Sequence, residues 1–296
     1  MRAARPPAAR APATRVTAAR ARPATQGAWI NGAAGQHVDY RDRGLQYGDG
    51  LFETMRVRDG RIRLLEYHLD RLFDGCRRMS MDAPAAPALR RELVRRAKPQ
   101  ADAVLKLILT RGPGTRGYRP SGRERCTRIL SLSAAPSFAA AESLQRVRIC
   151  ATPVGSNPAL AGLKTLNRLE SVLARSEWSD ARIWEGLMRD TDGNLVCGTM
   201  SNLFVRRGST LTTPALDRCG IAGVMRRWVL EQAAALELHP RQGRLNVEQL
   251  DDAAEVFMTN AVAGVVSVSV IEHGRRRIRL DSSIAAARLR ARLELE

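Results

Sequence analysis

From AWINGA onward, the chain alternates short β-rich runs with stretches whose apolar residues recur at helical spacing. LFETMRVR (51–58) reads as a strand, DGRI (59–62) as a hairpin turn and LLEYHLDRLFDGCRRM (64–79) as a helix with Leu and Phe on one side. ALRRELVRRA predicts a second helix, followed by strands at AVLKLILT and CTRILSLS. Next comes AAPSFAAAE (134–142), a Pro/Ala segment that reads as a linker. Beyond it RVRICATPV predicts a strand, and LNRLESVLARSEW a helix with one apolar stripe. Strands follow around LMRD, NLFVRR and STLTT, then a long helix over 223–238, strands at EVFMTN and GVVSVSVIEH, and a closing helix near 283–295. This mixture predicts two α+β domains, at 28–136 and 143–296, joined by a linker at 137–142.

Residues 1–27 lie outside that pattern. They hold six arginines, no acid and no aromatic residue, so burial cannot offset the entropy of ordering them. They are expected to be a disordered tail or a stretch upstream of the true start; an Arg-rich, acid-free composition also suits an organellar transit peptide.

Composition narrows the class. At 296 residues and 44% hydrophobic content, the chain can bury a sizeable core. Its longest apolar run, AVAGVVSVSVI (261–271), is far short of the roughly 20 residues of a membrane span, so no membrane role is expected. The five cysteines (Cys76, Cys126, Cys150, Cys197 and Cys219) form no CxxC pair and suit reduced thiols in a cytoplasmic protein. The four histidines have no metal-ligand spacing, so no metal is expected. A net charge of +18 raises an Arg-rich nucleic-acid-binding alternative. Removing the tail's six arginines leaves +12, and the aromatic content is 4%, so solvated arginine explains the charge better than specific nucleic-acid binding.

GPGTRG (112–117) matches GxGxxG after a strand, but Pro120 and Gly122 interrupt the helix that a dinucleotide site requires. The chain has no GxxxxGK[ST], GxSxG or HExxH motif. One residue type stands out by scarcity: among 48 Lys+Arg, only Lys98, Lys106 and Lys164 are lysines. A desolvated lysine can lose its proton and attack a carbonyl, which arginine cannot.

DRGLQYGDGLFETMRV, HLDRL, TRGPGTRGY, NPALAGLKTLNRLE, GTMSNLFV, GVMRR and EVFMTNAVAG occur in an order and spacing that resemble the fold-type IV pyridoxal-phosphate enzymes. The resemblance runs from about residue 28 to the C-terminus. GxKxLNRLE and RGxGxRGY are most similar to the aminodeoxychorismate lyases within that group. The resemblance implies a two-domain α+β enzyme whose active site lies at the domain interface, with pyridoxal 5'-phosphate as cofactor. It implies that Lys164 is the catalytic Schiff-base lysine and that Arg71 grips the cofactor phosphate. Backbone N–H groups of Val224 and Met225, and the turn at Asn260 and Ala261, are implied as further phosphate contacts. Arg116, with Tyr118 beside it, matches a position that binds substrate carboxylate.

The chain departs from the pattern at Cys197, which stands where these enzymes usually have a glutamate paired with the pyridine nitrogen. A neutral thiol is a weak partner for that nitrogen. The resemblance further implies a cytoplasmic homodimer that converts 4-amino-4-deoxychorismate to 4-aminobenzoate and pyruvate. A D-amino-acid or branched-chain aminotransferase is the alternative on the same fold.

Overall fold

Side chains alternate across a strand, so one face of LFETMRV must hold Leu51, Glu53, Met55 and Val57 together. In the structure, a computed structural model describing residues 25–136 and 144–295, all four are buried. Their strand is the third of six in the first sheet: β1 (Thr25–Ile30), β2 (Ala33–Ala34), β3 (Gly50–Arg58), β4 (Arg61–Ile62), β5 (Asp102–Thr110) and β6 (Thr127–Ala134). The order is β2-β1-β6-β5-β3-β4, with every pairing antiparallel. Three helices belong to this half: α1 (Arg43–Tyr47), α2 (Leu65–Arg78) and α3 (Ala86–Ala97). The α2 helix lays Leu69, Leu72 and Cys76 into the same core as Leu51, Met55, Leu105 and Leu107. A Cβ on Gly75 would come within 2.7 Å of Leu51, so glycine lets helix and strand approach closely.

The second sheet has nine strands: β7 (Gln145–Ile149), β8 (Ile183–Arg189), β9 (Leu195–Gly198), β10 (Asn202–Arg207), β11 (Thr210–Pro214), β12 (His239–Gly243), β13 (Glu255–Asn260), β14 (Gly264–His273) and β15 (Arg276–Arg279). The order is β12-β11-β10-β13-β14-β7-β8-β9, with β15 also paired to β14. It carries α4 (Leu169–Arg175), α5 (Val224–Gln232) and α6 (Ile284–Leu293). Trp228 and Val229 of α5 pack with Phe204, Phe257 and Leu289.

Two buried charges fix these helices. Glu255 is fully buried; it pairs with Arg206 and accepts the N–H groups of Ala285 and Ala286, capping α6. Among the described residues, Arg226 of α5 has no carboxylate hydrogen-bond partner. It donates to Thr213 Oγ1 at 3.3 Å, Pro214 O at 2.9 Å and Gln242 Oε1 at 2.8 Å, tying α5 to β11 and β12. Burial pushes its guanidinium down to about 10, still charged at neutral pH.

The α+β reading holds, with corrections to individual elements. Folded chain begins before residue 28: β1 opens at Thr25, which pairs with Ser133. Residues 1–24 of the expected tail and the 137–142 linker lie outside the described residues. The helix expected over 223–238 ends at Gln232; a 3-10 turn follows at Ala234–Leu236, and Glu237 is left-handed at φ 59°. The helix expected over LNRLESVLARSEW shortens to Leu169–Arg175. Its apolar stripe faces outward, with Leu169 69%, Val172 57% and Leu173 55% exposed. β12 gives no hydrophobic signal because HPRQG is a polar edge strand, where Pro240 is tolerated.

Candidate active site

Lys164 belongs to neither sheet by assignment, yet its segment pairs with the start of β3. Phe52 N donates to Lys164 O at 3.0 Å and Leu166 N to Gly50 O at 3.0 Å. The Lys164 amine therefore lies where the two halves of the chain meet, 4.1 Å from the centroid of the Phe52 ring. Burial, then the positive charge of Arg71, pushes the amine down to about 7; Arg168 and Lys106 act the same way, while Glu53 opposes them. A substantial fraction is thus unprotonated at neutral pH, the state a nucleophile or base requires.

Arg71, one helical turn from His68 on α2, reaches the same place. It donates Nε to Glu53 Oε1 at 2.8 Å, a second N–H to Glu53 Oε2, and Nη1 to Ala222 O at 2.9 Å. Ala222 sits in the turn that opens α5. That turn is stitched to the Lys164 segment by Gly162 N to Gly220 O at 2.9 Å and Ala222 N to Gly162 O at 3.0 Å.

The first turn of α5 has no side-chain cap, so the N–H groups of its opening residues, including Val224 and Met225, are available to an anion and carry the positive end of the helix dipole. A Cβ on Gly223 would lie 2.0 Å from Asn202 Oδ1, so only glycine fits there. Asn202 also donates to Ile221 O at 2.9 Å. Across the ladder from Asn202 stands Thr259, 1% exposed, whose hydroxyl has no partner among the described residues. A buried hydroxyl without a protein partner is free to meet a ligand. Asn260 and Ala261 follow in the turn to β14, where Asn260 Oδ1 accepts Val262 N at 3.0 Å and Ala263 N at 2.7 Å. An uncapped helix start, a guanidinium with N–H groups to spare, an unpartnered hydroxyl on β13 and a lysine that can shed its proton together fit a phosphorylated aldehyde.

Cys197 lies on β9 opposite Met188. Desolvation, then the Glu185 carboxylate, pushes its thiol up to about 12, so it is neutral at physiological pH. Glu185 is fully buried and does not offer a free carboxylate. It accepts Gly186 N, Thr199 N and Oγ1, Met200 N and Ser201 Oγ, and so holds the β9–β10 turn in shape. A cleft of about 600 Å³ opens alongside, lined by Asn157, Leu160, Thr165, Asn167, Arg168 and Cys219. Lys164, Glu53 and Arg71 do not line it, so the cleft flanks the amine rather than enclosing it.

Arg116 and Tyr118 are not brought into this cluster. Both are exposed, Tyr118 by 84%, on the loop of the GPGTRG motif, which continues into no helix. The loop is nonetheless built: buried Arg43 donates to Gly117 O at 2.8 Å and Tyr118 O at 2.7 Å, and Tyr118 meets Tyr47 edge-on at 5.4 Å. Asn167 Nδ2 reaches Gly48 O at 3.3 Å, which puts the loop's support next to the Lys164 segment.

Sequence reasoning misses Glu53, His68, Asn202, Glu185 and Thr259 as site residues. Glu53 is detectable, because the period of two places it on the apolar face with Leu51 and Met55. The others depend on which strands become neighbours.

The sequence matches the family profile for amino-transferase class IV over residues 50–271. The chain belongs to that family. Among class IV relatives it is 31% identical to the aminodeoxychorismate lyase of Vibrio harveyi, over 90% of this chain and 98% of that one. The crystal structure of 4-amino-4-deoxychorismate lyase from Pseudomonas aeruginosa superposes with a TM-score of 0.85 at 42% identity, covering 91% of this chain and 98% of that one. A hypothetical aminotransferase from Mycobacterium tuberculosis, solved in its PLP-bound form, shares the fold at a TM-score of 0.75 and 22% identity, covering 88% of this chain and 94% of that one.

The different roles that the resemblance implies for the two arginines would have separable consequences. Arg71→Ala should release pyridoxal phosphate on dialysis, because a charge-assisted contact is lost. Arg116→Ala should keep the cofactor and raise substrate KM. Equal cofactor loss in both variants, read from the visible absorption, would refute the division.

Proposed function

We propose that the chain is an aminodeoxychorismate lyase that uses pyridoxal phosphate to convert 4-amino-4-deoxychorismate to 4-aminobenzoate and pyruvate. The observation that carries the reading is Lys164, whose amine is held down to about 7 at the junction of the two sheets. The likeness to the Vibrio harveyi and Pseudomonas aeruginosa lyases supports the choice of substrate.

When bound, the cofactor supplies an electron sink. The chain does the rest. Arg71, the first turn of α5 and the Thr259–Asn260 turn would hold the phosphate, and Arg116 with Tyr118, exposed on their loop outside this cluster, would engage a carboxylate of the substrate that projects from it. Lys164 removes the proton from C4 of the ring, and loss of the enolpyruvyl group from C3 leaves an aromatic product. Cys197 would offer a neutral thiol where the resemblance places a carboxylate beside the cofactor's ring nitrogen.

The enzyme works as a cytoplasmic homodimer. No helix among the described residues is long and apolar enough to cross a membrane. The exposed apolar face of α4 supports a partner surface, since Leu169, Val172 and Leu173 would otherwise stand together in water. Leu173→Glu should shift the sedimentation of the protein toward the monomer; an unchanged dimer would place the interface elsewhere.

The direct test is an assay of the purified protein for 4-aminobenzoate and pyruvate in equal amounts, with borohydride fixing the chromophore onto the peptide containing TLNRLE. Transamination of D-alanine or leucine without lyase turnover would favour the aminotransferase alternative. A borohydride label on Lys98 or Lys106 would refute the assignment of Lys164.

A further inference from the structure

The proposed chemistry gives no role to Glu53. It stands on the core face of β3 between Leu51 and Met55 and is 2% exposed. A carboxylate in that position is costly unless it is paired. Its partners are Arg71, through two N–H groups, and His68, whose Nδ1 lies 2.6 Å from Oε2. Burial would raise the Glu53 carboxyl, but the Arg71 charge and the hydrogen bonds outweigh it and hold it down at about 2. Burial holds His68 below its ordinary value, so the imidazole is neutral and the counter-charge to Glu53 is Arg71. With Nδ1–H donating, Nε2 keeps a lone pair; it is buried and has no partner among the described residues.

Arg71 has five N–H groups. Two go to Glu53 and one to Ala222 O, leaving two for a ligand. A planar fork clamped by a buried carboxylate cannot swing.

We infer that Glu53, braced by His68, is a positioning residue that fixes the Arg71 guanidinium against the turn opening α5 and sets a buried negative charge beside Lys164. The inference rests on reading Lys164 and Arg71 as the cofactor's amine and phosphate contacts. The charged groups acting on the Lys164 amine are Arg71 from α2, Glu53 from β3, Lys106 from β5 and Arg168 from its own segment, with neutral His68 behind Glu53. Glu53 alone in that set holds the proton on.

Glu53→Gln keeps the volume and removes the charge. Two measurements on the full chain read the result: the affinity for pyridoxal phosphate by absorption, and the labelling of Lys164 in cofactor-free protein by an amine-reactive reagent against pH. Affinity should fall about tenfold, as when a supporting partner behind a directly bound group is lost, and the labelling midpoint should move to lower pH. A merely structural glutamate would weaken the fold without moving that midpoint. A midpoint that stays in place or rises overturns the inference. Should the variant fail to fold, nitrogen NMR of the wild type decides: His68 is expected to be neutral with Nδ1 protonated at neutral pH and to gain its second proton only below the ordinary histidine range, whereas titration at or above the ordinary value of about 6.5 overturns the brace. Arg71→Ala separates the two layers of argument. If that variant retains the cofactor like wild type, the reading of Arg71 fails; if it loses the cofactor while Glu53→Gln keeps wild-type affinity and midpoint, the positioning inference alone fails.

Discussion

Lys164→Arg is expected to lower lyase turnover by at least about 10³-fold, within the range that a positioned acid–base group supplies, while the protein still folds. The substitution keeps a long basic side chain, and the segment's backbone bonds to Gly50 and Phe52 do not involve the side chain. A guanidinium cannot lose its proton at working pH, so both nucleophilic attack and proton transfer disappear. The titration behind this loss can be followed without turnover. In the cofactor-free chain, labelling of Lys164 should rise through about pH 7, where its amine titrates. A midpoint near the ordinary lysine value of about 10.4 would show instead that the amine is solvated. The same shift has a sign for stability. Between about pH 7 and the unfolded lysine value, the unfolded chain binds more protons than the folded one, so this group makes the protein more stable as pH rises through that window. Below about 7 both states are protonated, and the full cost of burying the charge remains. Wild-type turnover surviving in Lys164→Arg would remove the basis of the proposed function.

How much of this is legible in the sequence depends on where the information resides. Lys164 and Arg71 stand out in the sequence through their resemblance to the family motifs GLKTLN and HLDRL, and the scarcity of lysine, at three residues, only draws attention to the first. Strand and helix positions from 51 to 134 follow from local periodicity. The supports are harder to see. Glu185 reads in sequence as an ordinary strand glutamate, and only the fold brings Thr199, Met200 and Ser201 around it. Thr259 becomes significant only when β13 lies against β10 and leaves its hydroxyl without a partner. The apolar stripe of LNRLESVLARSEW exists as a stripe, but periodicity cannot say whether such a stripe faces a core or another chain; here it faces outward. The Arg116 loop carries a glycine motif whose meaning lies in backbone turns, and its anchor, Arg43, is more than seventy residues away.

Cys197→Glu is expected to destabilise the cofactor-free protein by about 3 kcal/mol, the usual scale for a buried charge without a full partner, and to regain much of that when pyridoxal phosphate binds. The thiol site disfavours negative charge: desolvation and Glu185 both push Cys197 up, and the pull of Arg168 in the other direction is weaker. Glu185 cannot accommodate a second carboxylate by sharing a proton donor, since its donors already hold the β9–β10 turn. In the enzymes this chain resembles, the carboxylate at this position pairs with the pyridine nitrogen, so the new group finds its counter-charge only in the loaded protein. The chemical consequence follows from the same pairing. Transamination must store an electron pair and return it to another carbon, which needs strong support at the ring nitrogen. Loss of a leaving group from the neighbouring carbon, with an aromatic product, needs less. Cys197→Glu should therefore keep lyase turnover within about tenfold, a barrier change of roughly 1.4 kcal/mol, and increase slow transamination of D-alanine or leucine. Melting temperatures with and without cofactor, and 2-oxo acid released from those amino acids, measure the two effects. If melting is the same in both states and transamination does not increase, then Cys197 does not face the pyridine nitrogen, and the neutral thiol is not what directs this chain toward elimination.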